Sequence, residues 1–170
     1  ILESLAGHGI DFDAAGGLTL GADHFAHGVA IVGSKDWFTV RKAPKGRGTN
    51  RRIEGAPLDP SVNVLLVDDV VSSGGSIQDA YHAIAATGAT VVAAITLVDR
   101  GEVAREFFDG LEIPYLPLLT YKDLDIPRVG DGPRHAAAAA RRTDAHSRPP
   151  RRSALIVTCR PFGSRCDSAS

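Results

Sequence analysis

Short continuous apolar runs alternate with helically spaced ones along most of the chain. Ile10–Ala15 predicts a strand ending at Gly16-Gly17, and Thr19–Val32 has helical spacing interrupted by Gly21 and Gly28. Trp37–Lys42 is rich in strand formers, and Ala43–Asn50, with Pro44, Gly46 and Gly48, predicts a polar loop. Asn63–Val67 is an unbroken apolar run of the kind that fits a strand buried on both faces. Ile77, Ala80, Tyr81, Ile84 and Ala85 then fall on one face of a helix. Ser76 with Asp79 resembles a capping box, and Gly88 is placed to stop that helix. Thr90–Val98 predicts a second buried strand, Glu102–Phe108 a helix and Tyr115–Leu119 a last strand. Strands that alternate with helices predict an α/β fold: an open, mostly parallel sheet flanked by helices, which binds ligands at the carboxyl ends of its strands.

The pattern fades near Ile126, which divides the chain into a body, residues 1–128, and a tail, residues 129–170. Arg134–Ala140 carries an alanine run, Arg141–Arg152 mixes Arg, Ser and Pro, and Ala154–Val157 is the tail's apolar cluster. This composition predicts disorder, or a reading-frame artefact of a GC-rich gene. A nucleic-acid-binding arm would want lysines and interleaved aromatics; the tail has no Lys, and its one aromatic is Phe162.

The division changes how the charge reads. The 170 residues have a net charge of −1, yet residues 134–170 hold eight Arg against two Asp. Residues 1–133 are therefore acidic, with 11 Lys and Arg against 18 Asp and Glu. Six of those 11 cations lie between positions 41 and 52: Arg41, Lys42, Lys45, Arg47, Arg51 and Arg52. Taken alone they could be a solvated loop, but beside a phosphate turn they read as a lid over a polyphosphate. With 44% hydrophobic and 23% charged residues the chain is globular in composition, and no run reaches membrane-spanning length. The two cysteines, Cys159 and Cys166, lie in the tail, so the body has no disulfide framework and a reducing, cytoplasmic setting is expected. His24 and His27 stand three apart without a third ligand nearby and are assigned no metal. The chain begins at Ile1 and contains no Met, and is read as a fragment.

The chemistry concentrates at residues 64–76, Val-Leu-Leu-Val-Asp-Asp-Val-Val-Ser-Ser-Gly-Gly-Ser. A buried strand delivers two carboxylates, Asp68 and Asp69, to its carboxyl end. A hydroxyl- and glycine-rich turn follows and leads into a helix N-terminus, whose free N–H groups suit a phosphate. Gly74 and Gly75 let the backbone curl closely, and Ser72, Ser73 and Ser76 can donate hydroxyl hydrogen bonds. The acids would repel a phosphate, so they should face vicinal hydroxyls, a divalent cation or both. Singly, each of these residues could be a mere turn or cap residue.

The whole run closely resembles the phosphoribosyl pyrophosphate (PRPP) signature of the type I phosphoribosyltransferases, which have a Rossmann-like fold. Arg41-Lys42-x-x-Lys45-x-x-Gly48 followed by Ile53-Glu54-Gly55 looks like the orotate phosphoribosyltransferase branch. The resemblance implies that Asp68 and Asp69 hold the ribose hydroxyls and that Val70, Val71 and Ser72–Ser76 form the PRPP loop around the 5-phosphate. It implies that Arg41 and Lys42 bind pyrophosphate. Lys45, on loop 43–50, would reach the site of a second subunit and stabilise the leaving group, which implies a homodimer. The family's loop His is replaced by Arg47, which keeps charge but cannot act as an acid or base near neutral pH. Arg100, in Val98-Asp99-Arg100, matches the residue that binds the orotate carboxylate, and Ser72 also touches orotate by the same resemblance. Without the family, Arg100 could equally be a helix-entry residue paired with Glu102. Gly16-Gly17-Leu18-Thr19 matches the pyrophosphate loop, but no Lys or Arg lies between Ile1 and Gly33. Binding there would rest on backbone N–H groups.

The implied reaction moves ribosyl 5-phosphate from PRPP to orotate, giving orotidine 5′-monophosphate and pyrophosphate, with Mg²⁺ carried by PRPP near Asp68 and Asp69. Only about fifteen residues precede Gly16, whereas the family has an N-terminal hood over the base. The chain as given is therefore expected to keep a PRPP site but to be weak or inactive unless the N-terminus is restored. The alternatives are a non-catalytic PRPP-binding regulatory module and a transferase for another base. Lys42 and Lys45 favour the enzyme over the regulator.

Overall fold

The computed structural model describes residues 1–43 and 52–129. Ten elements follow in order: α1 (Leu2–Gly7), β1 (Ala14–Leu18), α2 (Asp23–Gly33), β2 (Asp36–Val40), β3 (Ile53–Gly55), β4 (Asn63–Val71), α3 (Gly75–Ala85), β5 (Thr90–Asp99), α4 (Val103–Asp109) and β6 (Tyr115–Thr120). The strands form one six-stranded sheet in the order β3-β2-β1-β4-β5-β6. All neighbours are parallel except β2 and β3, which are antiparallel. The expected open, mostly parallel sheet is the one found.

Alternate residues of the central strands feed two cores. Val64, Leu66 and Ala94 pack with Ile77, Ala80, Ile84, Ala104 and Phe108, so α3 and α4 cover one face. Leu65, Val67, Ala93 and Ile95 pack with Leu5, Phe12, Ala26 and Val29, so α1 and α2 cover the other. Burial on both faces is why these strands read as continuous apolar runs rather than as alternation.

Several boundaries differ from the sequence reading. β1 begins at Ala14, not Ile10, and runs through both glycines to Leu18. α2 starts at Asp23; Leu18–Gly21 form a turn instead of its first helical turn, with a cis Thr19–Leu20 peptide. β4 does not stop at Val67 but continues to Val71, because β5 pairs with it as far as Val71↔Asp99. Gly88 adopts φ +87°, two residues beyond the α3 C-cap at Ala86. The loop expected at Ala43–Asn50 and the tail from 130 onward lie outside the described residues.

The strand order fixes where a ligand can enter. From β1 the chain adds strands in one direction through β2 and β3; from β4 it adds them in the other through β5 and β6. The topological switch therefore falls between β1 and β4, where open α/β sheets bind ligands. The two strands pair only as far as Gly16↔Leu66. Beyond that register Gly17 still packs against the Val67 carbonyl, and a crevice lies between the turn after β1 and the last residues of β4.

Candidate active site

Asp68 and Asp69 lie on β4 at that crevice. Asp68 is 5% exposed, and its Oδ1 accepts the Asp69 N–H at 3.0 Å. Burial pushes its carboxyl up to about 7; the Asp69 N–H opposes the shift, and the neighbouring Asp69 charge adds to it. Asp69 is half-buried, and its Oδ1 accepts the Val70 N–H at 2.7 Å. Behind the pair, buried Thr96 donates to the Asp69 carbonyl at 3.1 Å and pins this stretch of β4. Val70 is exposed, whereas Val71 turns back into the core.

Ser72 and Ser73 then carry the chain into α3 with exposed side chains. Gly74 is the N-cap residue, with φ 76° and ψ −7°, a left-handed conformation that a side chain would strain. No side chain caps the helix, so its first N–H groups are available to a ligand. The Ser76–Asp79 capping box is not formed. The helix starts two residues earlier than that motif requires, at Gly75, so exposed Ser76 is already inside it. Asp79 instead binds Arg52 through both carboxylate oxygens, at 3.0 and 2.6 Å.

The opposite wall is the turn after β1. Thr19 N–H donates to the Val40 carbonyl at 2.8 Å, which ties this turn to the end of β2. Buried Thr39 donates to Asp23 at 2.7 Å and holds the start of α2 against the same strand. Leu18, Thr19, Leu20, Gly21, Lys42, Asp68, Asp69, Val70 and Ser76 together enclose a cleft of about 220 Å³. A larger groove of about 640 Å³, between residues 52–58 and the second half of α3, is mostly apolar and is lined by neither acid. The smaller cleft is the chemically equipped one, with two carboxylates, one ammonium, two hydroxyls and the approach to a helix N-terminus.

The basic cluster is divided. Lys42 is exposed and lines the cleft. Arg41 pairs with Glu54 at 3.2 Å, and its Nε is buried with no hydrogen-bond partner. Arg52 was grouped with the polyphosphate cations by sequence, but its guanidinium is committed to Asp79. Lys45, Arg47 and Arg51 lie outside the described residues.

Arg100 follows β5, one strand away from the acids. Its N–H donates to the Val71 carbonyl, and its carbonyl accepts the Val129 N–H, both at 2.8 Å. The turn is shaped by buried Asp99, which accepts the Gly101 N–H at 2.9 Å. Glu102 pairs with Arg128 at 3.3 Å and Lys122 at 3.9 Å, and accepts from the Tyr121 hydroxyl. It is not Arg100's partner; the Arg100 Nε is buried without a hydrogen bond. Asp23 and Thr39 were missed by sequence, and Asp79 was read only as a capping residue, because each acts through a residue distant along the chain.

Residues 39–106 match the phosphoribosyl transferase domain model. An orotate phosphoribosyltransferase of Streptomyces avermitilis is 45% identical over 112 residues, covering 62% of this chain and 61% of the relative. A phosphoribosyltransferase structure from Corynebacterium diphtheriae superposes with a TM-score of 0.62 at 35% identity, covering 74% of each chain. The Mycobacterium tuberculosis orotate phosphoribosyltransferase in complex with PRPP gives 0.61 at 32% identity, covering 73% of this chain and 70% of that one. This chain belongs to the orotate phosphoribosyltransferase family. It spans about three fifths of the length of the curated orotate phosphoribosyltransferases it matches. The family match extends from the end of β2 into α4, so it takes in Lys42, both acids, the turn and Arg100.

Proposed function

We propose that this chain transfers ribosyl 5-phosphate from PRPP to orotate, forming orotidine 5′-monophosphate and pyrophosphate as a step of cytoplasmic pyrimidine biosynthesis. The observation that carries the proposal is the cleft at the β1/β4 switch, with paired carboxylates on one wall and Lys42 on another. Family membership supplies the reaction class.

In this reading Asp68 and Asp69 hold the two ribose hydroxyls. The turn Ser72–Ser76 holds the 5-phosphate, its hydroxyls and the uncapped α3 N–H groups acting as donors. Arg41 and Lys42 bind the pyrophosphate, aided by the N–H groups of Leu20 and Gly21, that of Thr19 being held by the Val40 carbonyl. Lys45 and Arg47 add charge from loop 43–50 of the second subunit of a homodimer. Arg100 forms a paired hydrogen bond with the orotate carboxylate, for which its fork geometry is suited, and Ser72 contacts the base.

The bond from ribose C1 to the pyrophosphate oxygen breaks, the bond from C1 to orotate N1 forms, and the N1 proton passes to the departing pyrophosphate or to solvent. Negative charge grows on the departing pyrophosphate, and cations fixed in place stabilise it without reorganising. The site also holds the base in line with C1. The cleft's donor set of carboxylate and hydroxyl oxygens fits Mg²⁺, a hard cation, at Asp68 and Asp69. Among the described residues no group of three or more His, Cys, Asp or Glu is placed to hold a metal, so polyphosphate oxygens and water would complete its shell. Bound Mg²⁺ would neutralise charge on the pyrophosphate.

Titration calorimetry of PRPP with Mg²⁺ tests the assignment. Binding should be lost in the Asp68→Asn/Asp69→Asn double variant and retained in Arg100→Ala. Equal PRPP affinity in the double variant would refute it.

A further inference from the structure

Arg52 and Asp79 are 27 positions apart and join the start of β3 to α3, whose Ser76 lines the cleft. Arg52 uses its whole fork. Nη1 and Nη2 donate to Asp79 at 3.0 and 2.6 Å, and Nε donates to the Arg41 carbonyl at 3.0 Å. In return, the Arg41 N–H donates to the Arg52 carbonyl at 2.7 Å. The end of β2 is thus locked to the start of β3, and that corner is tied to α3 one turn beyond Ser76. Lys42 is the next residue after the locked Arg41, and Lys42 and Ser76 both line the cleft. The guanidinium and carboxylate are 27% and 45% exposed, so the pair is reachable by solvent but not fully solvated.

We infer that Arg52 and Asp79 are positioning residues for this cleft: their ion pair sets the placement of Lys42 relative to the α3 phosphate turn. The inference rests on the reading of the cleft as a polyphosphate site. Removing Asp79 deletes a negative charge and frees a guanidinium, and charge alone would then make an anion bind more tightly. Loss of positioning makes it bind more weakly.

The test uses the full chain, inorganic pyrophosphate with Mg²⁺ as the calorimetric probe, and amide hydrogen exchange at Arg41 and Arg100. In Asp79→Ala, pyrophosphate affinity should fall about fivefold, the scale of a partly exposed ion pair. Exchange of the Arg41 amide should quicken while that of Arg100, bonded to Val71, stays unchanged. Arg52→Lys keeps the charge but loses the fork, and should behave in the same way. If Asp79→Ala fails to fold, Asp79→Asn provides the comparison with side-chain volume kept. Unchanged or tighter pyrophosphate binding overturns the inference, as does unchanged Arg41 exchange. If the parent chain binds no pyrophosphate, the polyphosphate reading fails and with it the role assigned to the pair. Faster Arg41 exchange would then still establish the mechanical tie on its own.

Discussion

The carboxylate of Asp69 occupies the space that a side chain at Gly21 would need. A Cβ on Gly21 would lie 2.6 Å from Asp69 Oδ1 and 2.7 Å from Oδ2. Because the obstacle is the end of a side chain, Gly21→Ala should be accommodated by moving Asp69 rather than by unfolding. The expected result is a roughly tenfold loss of PRPP affinity, the scale of a misplaced site group. The melting temperature should fall by only about 2–4 °C. Unchanged PRPP affinity would show that this contact does not position Asp69.

Asp68 makes stability depend on pH in a direction opposite to that of an ordinary paired carboxylate. Burial raises its folded pKa to about 7, well above that of an unfolded Asp, near 4. Between those values the unfolded chain has released a proton that the folded chain retains, so stability falls as pH rises. The contribution is fully present below about pH 4 and is lost through about pH 7. Asp68→Asn should therefore stabilise the protein at pH 8, by an amount on the order of a few kcal/mol, and change little at pH 4. Thermal melts of both proteins at the two pH values provide the check.

Arg100 and the acids serve different ligands in the proposed site. Arg100→Ala should abolish orotate binding while leaving PRPP affinity within about twofold, since truncating a paired hydrogen bond to a carboxylate costs mainly its own ligand. Parallel loss of both affinities would place Arg100 in the scaffold rather than at the base.

Lys42 is the exposed cation at the cleft, so its contribution should be sensitive to salt. Lys42→Ala is expected to weaken pyrophosphate binding about tenfold at low ionic strength, with the difference shrinking at high salt. Lys35, paired with Asp11 at 2.8 Å, provides a control: Lys35→Ala should leave binding unchanged.

The β4–turn–α3 unit was legible because a doubly buried strand, a glycine turn and a helical face each leave a strong local pattern. The extent of β4 was not legible. Asp68–Val71 look like turn residues until β5 is known to pair with them through Asp99. β3 has three residues, and α1 has six with Leu5 as its buried anchor; neither is long enough to show a period. Of the positions read from the sequence, Lys42, Asp68, Asp69, Val70 and Ser76 come together at one cleft, and Arg100 lies at the end of the neighbouring strand. What the sequence missed was partnership. Arg52 counts as a ligand cation by proximity along the chain, yet Asp79, on another element, claims it. Thr39 and Asp23 look unremarkable until β2 and α2 are side by side.

Orotate-dependent release of pyrophosphate from PRPP and Mg²⁺, run beside uracil, hypoxanthine and adenine, tests the proposed function most directly. Turnover, however weak, should appear with orotate alone and should vanish in Arg100→Ala. Turnover with another base in preference to orotate, or with every base alike, would contradict it.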